Sequence, residues 1–187
     1  MKKRLIRVFI IVVLGVGAYL LLTSGLFTPK SEEGSIAVST YTNEKYGILF
    51  TYPKEYILAE AERGNAERSH YSIVMTSPGD TIAPENGEGP TAITIDIYQN
   101  NLDKETLLGW LQGNGASNFK LGDGKYSATV VGGTEALQYR WSGLYEGETT
   151  AFLHKENVVA VSVTYLDSGD EKTGVYRDIV STMVLTK

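Results

Sequence analysis

The stretch 46-YGILFTYPKEYIL-58 alternates before it stops: Ile48, Phe50 and Tyr52 fall on one side of an extended chain, Leu49 and Thr51 on the other. Successive side chains of a β-strand point to opposite faces, so this is the pattern of a strand with one face turned to a core. Pro53 ends it, because proline has no N–H to give to a ladder. The residues Pro53 to Glu55 turn the chain, and a second short strand is expected over 56–59. Every residue of the stretch thus has a structural reason to be there, and none requires a chemical one.

Downstream, a polar loop that includes His70 precedes an apolar strand starting at Tyr71. Residues 79–90 are rich in Gly, Pro and acids without periodicity, the mark of a long exposed loop. Residues 91–99 then place Ile93, Ile95 and Ile97 on one face and Thr94, Asp96 and Tyr98 on the other. The period changes at Leu107, Trp110 and Leu111, spaced i, i+3, i+4 and followed by Gly113 and Asn114, which predicts an amphipathic helix with Trp110 as a core anchor. Four strands separated by Gly132-Gly133, Glu146-Gly147 and Glu156-Asn157 form an antiparallel meander. A closing helix presents Val175, Tyr176, Ile179, Val180 and Met183 on one side, with Ser168 and Glu171 spaced as a capping box. Strands and helices that do not alternate one by one argue for an α+β fold: an antiparallel sheet of six to seven strands with helices packed on its faces.

Upstream, residues 8–27 carry no charge and follow Lys2, Lys3, Arg4 and Arg7. A helix of about 20 residues spans about 30 Å, the thickness of a bilayer's hydrocarbon core. The expectation is a basic cytoplasmic N-terminus over 1–7, a transmembrane helix over 8–27, a flexible tether over 28–44 and an extracytoplasmic domain over 45–187. A cleaved signal peptide, leaving a secreted domain, is the competing reading. Beyond residue 7 the chain carries 13 basic against 22 acidic side chains, which excludes a nucleic-acid surface. The absence of cysteine excludes disulfides, thiol catalysis, thiolate metal sites and a lipid-bearing cysteine.

Tyr46, Gly47, Phe50, Tyr52 and Pro53 resemble the entry motif of PsbP-like domains, in which Tyr-Gly, a strand with Phe, and Tyr-Pro open an antiparallel sheet covered by helices on both faces. The resemblance covers about 41–187, with Ile48 and Tyr56 where the family often has an aromatic and a Trp. It implies a non-enzymatic accessory domain of the membrane-anchored bacterial type, and no metal or cofactor contact transfers to this chain.

Among chemistry-bearing residues, His70 and His154 are the two histidines. No G-x-S-x-G elbow, Walker loop, dinucleotide fingerprint or H-E-x-x-H accompanies them, so both read as structural, with an anchored histidine-dependent hydrolase as the minor alternative. Asp80, Glu85 and Glu88 are oxygen ligands of the kind Ca²⁺ takes, but their spacing does not follow the calcium-loop pattern, and a solvated loop explains them. Asp96 faces away from the isoleucines and is either solvated or paired, with Arg140 as a partner by residue type. No catalytic, metal or cofactor-binding residue is assigned. The expected function is a binding or scaffolding domain whose partner, besides the membrane, is another envelope protein or a small ligand, with small-molecule sensing as the alternative.

Overall fold

The computed structural model describes residues 37–65, 67–80, 89–100 and 106–187. The expected basic head, transmembrane helix and first part of the tether lie outside the described residues, as do Glu85 and Glu88. Among the described residues no helix is long and apolar enough to cross a membrane.

The strands are β1 (Val38–Asn43), β2 (Ile48–Pro53), β3 (Ile57–Glu62), β4 (His70–Thr76), β5 (Ile93–Gln99), β6 (Ser127–Val131), β7 (Thr134–Ser142), β8 (Glu146–His154), β9 (Asn157–Tyr165) and β10 (Val184–Leu185). Two α-helices, α1 (Leu107–Gly113) and α2 (Glu171–Thr182), complete the described elements with two short 3-10 turns. Seven strands form one sheet in the order β3-β4-β5-β9-β8-β7-β6, and β1-β2-β10 form a second, smaller one. All pairs are antiparallel. The chain runs from β5 across one face of the large sheet through α1, reaches its far edge at β6, and returns by the meander until β9 lies beside β5.

The predicted alternation holds in the strands that matter most. Ile48 and Phe50 are buried, as are Ile93, Ile95 and Ile97, and they meet Ile73, Met75, Phe152, Val161, Tyr176 and Ile179 in one core. That core lies between the large sheet on one side and α2 with the small sheet on the other. A second, smaller core on the opposite face gathers Trp110, Leu111, Phe119, Tyr139 and Val158 under α1, so Trp110 is the anchor its spacing predicts.

Two expectations need correction, on the tether and on the cap of α2, and two strand pairings add to what the sequence implied. The expected tether runs too far, because Val38–Asn43 is a strand whose Tyr41 pairs with Phe50 of β2 and stacks on its ring at 5.0 Å. The turn after Pro53 carries the chain into the other sheet, where β3 pairs with β4. Strand β10 closes the small sheet, pairing Val184 with Leu49. Helix α2 is capped by Asp170, whose carboxylate accepts from the Lys172 N–H at 3.0 Å, and not by Ser168. Asp170 is the better cap here because a helix that starts at Glu171 needs its acceptor one residue earlier.

Gly47, in the turn just before β2, has φ +66, and a Cβ there would lie 2.6 Å from the Thr186 carbonyl oxygen. The Thr186 N–H also donates to the Gly47 carbonyl at 2.9 Å. Replacing Gly47 by Ala is expected to cost about 1–2 kcal/mol from the left-handed backbone alone, and to expose the Thr186 amide to hydrogen exchange. Unchanged protection at Thr186 would refute this account of the position. Phe50→Ala, which empties the centre of the core, is expected to lower urea stability by about 3–5 kcal/mol; a loss below 1 kcal/mol would mean that the two sheets do not depend on this contact.

Candidate functional site

His70 is not in a loop but opens β4, where it faces the α1 side of the sheet. Its Nε2 lies 2.8 Å from Asp96 Oδ1, and its ring stacks on Tyr98 at 4.2 Å. Asp96 is therefore paired rather than freely solvated, and its partner is His70. Arg140 cannot serve, because alternation along β7 puts it on the opposite face, where it approaches Glu148 at 3.6 Å. Among the described residues the side-chain hydrogen bond of His70 goes to Asp96 and to no hydroxyl.

Asp80 accepts from Ser77 Oγ and from Lys172 Nζ, each at 2.7 Å, and Lys172 also reaches Asp170 at 3.1 Å. Burial would raise the Asp80 carboxyl, but the Lys172 and Ser77 hydrogen bonds outweigh it and hold the group below the usual range. These contacts make Asp80 a clamp between the loop and the start of α2. Among the described residues no group of three His, Asp or Glu side chains converges as a metal site.

The concave feature that does gather polar groups lies under α1. Thr94, Ser162, Thr149 and Tyr139 are direct cross-strand partners on β5, β9, β8 and β7, so their side chains stand in one row on one face. Thr149 Oγ1 and Ser162 Oγ are 2.8 Å apart. Trp141 Nε1 donates to Thr149 Oγ1 at 2.9 Å, and Tyr139 donates its hydroxyl to Asn118 Oδ1 at 2.6 Å. The Trp141 ring is placed by Gly147, its cross-strand partner, where a Cβ would fall 2.3 Å from the indole.

Above this row is a cavity of about 150 Å³ walled by Asp96, Tyr98, Trp110, Trp141 and, from the row, Thr94, Ser162 and Tyr139. Helix α1 has seven residues and covers only part of the broad sheet, which leaves the space. Burial pushes the Tyr139 hydroxyl up to about 12 and raises that of Tyr98, so both stay protonated at neutral pH. A larger, open groove of about 860 Å³ lies beside it, lined by Leu107 and Leu108 of α1 and by Ala128, Val130, Leu137 and Leu153.

The row was readable in principle. Ser162 and Thr164 interrupt an otherwise apolar strand, and Thr94 and Asp96 alternate with isoleucines. Strand order was the missing information, since only the adjacency of β5, β9 and β8 turns three separate patterns into one surface.

His154, by contrast, ends β8 beside Lys155, and its Nε2 is buried without a hydrogen-bond partner among the described residues. Burial, followed by the Lys155 charge, holds its imidazolium below the ordinary value of 6.5, although backbone groups of Gly47, Thr186 and Tyr46 offset part of the effect. The unfolded chain therefore takes up this proton first as pH falls. Stability is full above about pH 6.5 and declines below it, until the folded protein protonates as well. His154→Gln is expected to flatten the fall in urea midpoint between pH 7 and 5; parallel curves for the two proteins would remove His154 from the account.

No protein-family model matches the sequence, and no curated protein matches it. Ten solved chains are similar in structure. One is the solution structure of cyanobacterial PsbP (CyanoP) from Synechocystis sp. PCC 6803, with a TM-score of 0.53, 13% sequence identity, and a match covering 83% of this chain and 96% of that one. The likeness is one of architecture: the described chain has a PsbP-like fold, as Tyr46, Gly47, Phe50, Tyr52 and Pro53 imply.

Proposed function

We propose that this chain is a non-catalytic binding domain, held at a membrane by its uncharged N-terminal segment with the folded domain on the extracytoplasmic side, and that the polar cavity under α1 is its ligand site. The observation that carries the reading is the convergence of Asp96, Thr94, Ser162 and two tryptophans on one half-open cavity. Sites that bind small molecules combine a concave, largely aromatic or apolar wall with a few placed polar groups, and this cavity has that composition at small scale. A scaffolding role, in which another envelope protein docks on the surface, is the second reading. It is favoured by the open groove, where Val130 is 64% exposed.

Both tryptophans of the chain, Trp110 and Trp141, line the cavity, so their indole N–H signals report on its contents directly. A screen of small amines, amino acids, polyols and carboxylates against the ¹⁵N-labelled domain is expected to move these two signals saturably for at least one class. Ala160→Leu, which projects a side chain into the space from β9, is expected to abolish the response while circular dichroism stays native. Ligands that shift only signals around Val130 and Leu153 would transfer the function to the groove. For the anchor, the full chain is expected to stay in the carbonate-washed membrane fraction with residues 1–7 intact; a soluble product beginning near Leu26 would overturn that part.

A further inference from the structure

We infer that the cavity selects a small organic cation, an alkylammonium group, with Asp96 as its counter-ion. The inference rests on the reading of the cavity as a ligand site and names the class of ligand.

The first argument is charge. Asp96 is the one carboxylate among the residues that line the cavity, and no Lys, Arg or His is among them. Its Oδ1 faces His70 Nε2. A carboxylate oxygen only accepts, so the ring nitrogen is the donor in this contact, which engages Oδ1 and not Oδ2. The pair is part-buried, with about 20% of each side chain exposed, where a charge–charge contact is screened less than at the open surface.

The second argument is a count of donors. Tyr139 gives its proton to Asn118 Oδ1, Asn118 Nδ2 donates to Thr149 Oγ1 at 3.1 Å, and Trp141 Nε1 donates to the same oxygen. Thr164 Oγ1 is held by Ala92, accepting from its N–H at 2.8 Å and donating to its carbonyl at 3.2 Å. These four donors are thus committed within the wall, to which Asp96 adds a carboxylate. An anion entering would meet a like charge. A cation meets no such obstacle.

The third argument is the rest of the wall. Tyr98, Trp110, Tyr139 and Trp141 bring four aromatic rings to the space, with Tyr98 and Trp110 at 5.0 Å. Aromatic faces and a carboxylate together are the recognition chemistry of ammonium groups. The volume sets the size. About 150 Å³ is below the roughly 300–1,000 Å³ of drug-sized sites, so the group recognised is small.

The test uses tetramethylammonium and methylammonium chlorides, with tert-butanol as a neutral probe of similar shape, sodium acetate as an anion and sodium chloride as the ionic-strength control, at pH 8. The indole N–H signals of Trp110 and Trp141 are followed by NMR, and binding heat by calorimetry. The ammonium probes are expected to bind saturably and at least tenfold more tightly than tert-butanol. Asp96→Asn, which keeps an acceptor for His70 while deleting the charge, is expected to weaken them about tenfold and to leave tert-butanol unaffected. Tert-butanol binding as tightly as tetramethylammonium, or ammonium binding unchanged in Asp96→Asn, overturns the choice of cation while the cavity remains the site. An ammonium response that survives in Ala160→Leu, or silence from every probe, overturns the cation and the site together.

Discussion

The fold depends on the burial of one face of β5 and β9 against α2 and the small sheet. Ile93, Ile95 and Ile97 stand directly opposite Val163, Val161 and Val159, and all six are at most 1% exposed. Full burial of a side chain of this size stabilises by about 1.5–3 kcal/mol relative to leaving it exposed. Because the period of a strand is two, fixing these residues inward also fixes their neighbours outward: Thr94, Asp96, Ser162 and Thr164 have no choice of face. The polar row under α1 is the reverse side of the core.

The elements legible in the sequence were those with local period. The alternation of Ile48, Phe50 and Tyr52, the meander from β6 to β9, and helix α1 with its stop at Gly113 needed no information from elsewhere in the chain. Strand β1 was missed because VSTYTN is polar, and it is a strand through its pairing with β2 rather than through its own composition. Strand β10 has two residues, too few for any period, and exists because Thr186 reaches Gly47. The partner of Asp96 was illegible for the same reason. His70 and Asp96 are 26 positions apart and meet only because β4 and β5 pair with His70 opposite Tyr98. Arg140 matched by charge, yet charge does not tell which face of a strand a residue occupies.

Several polar groups elsewhere in the domain are held by contacts that join two elements. Lys172, with 9% of its side chain exposed, is held by two carboxylates. Thr150, in the main core, shares a 2.6 Å hydrogen bond with Tyr176, whose hydroxyl burial keeps protonated. Tyr41 and Tyr71 both meet Glu60 at the edge where β1 approaches β3. Each of these contacts joins two elements and has a structural purpose in doing so.

The row of Thr94, Ser162 and Thr149 has no such purpose. It lies on three adjacent strands already joined by their backbones, and it ties nothing to the sheet except Asn118 and Trp141. Replacing two hydrogen-bonded buried partners by apolar groups of the same shape is nearly neutral or stabilising, so valines would hold this sheet at least as well. Seven residues of α1 above an apolar face would also have settled onto it and left no space. Natural chains depart from the rule of an apolar interior chiefly where function requires it. The departure here lies largely in the wall of one cavity, beside the Asp96 carboxylate, and that combination is the ground for the ligand site proposed above.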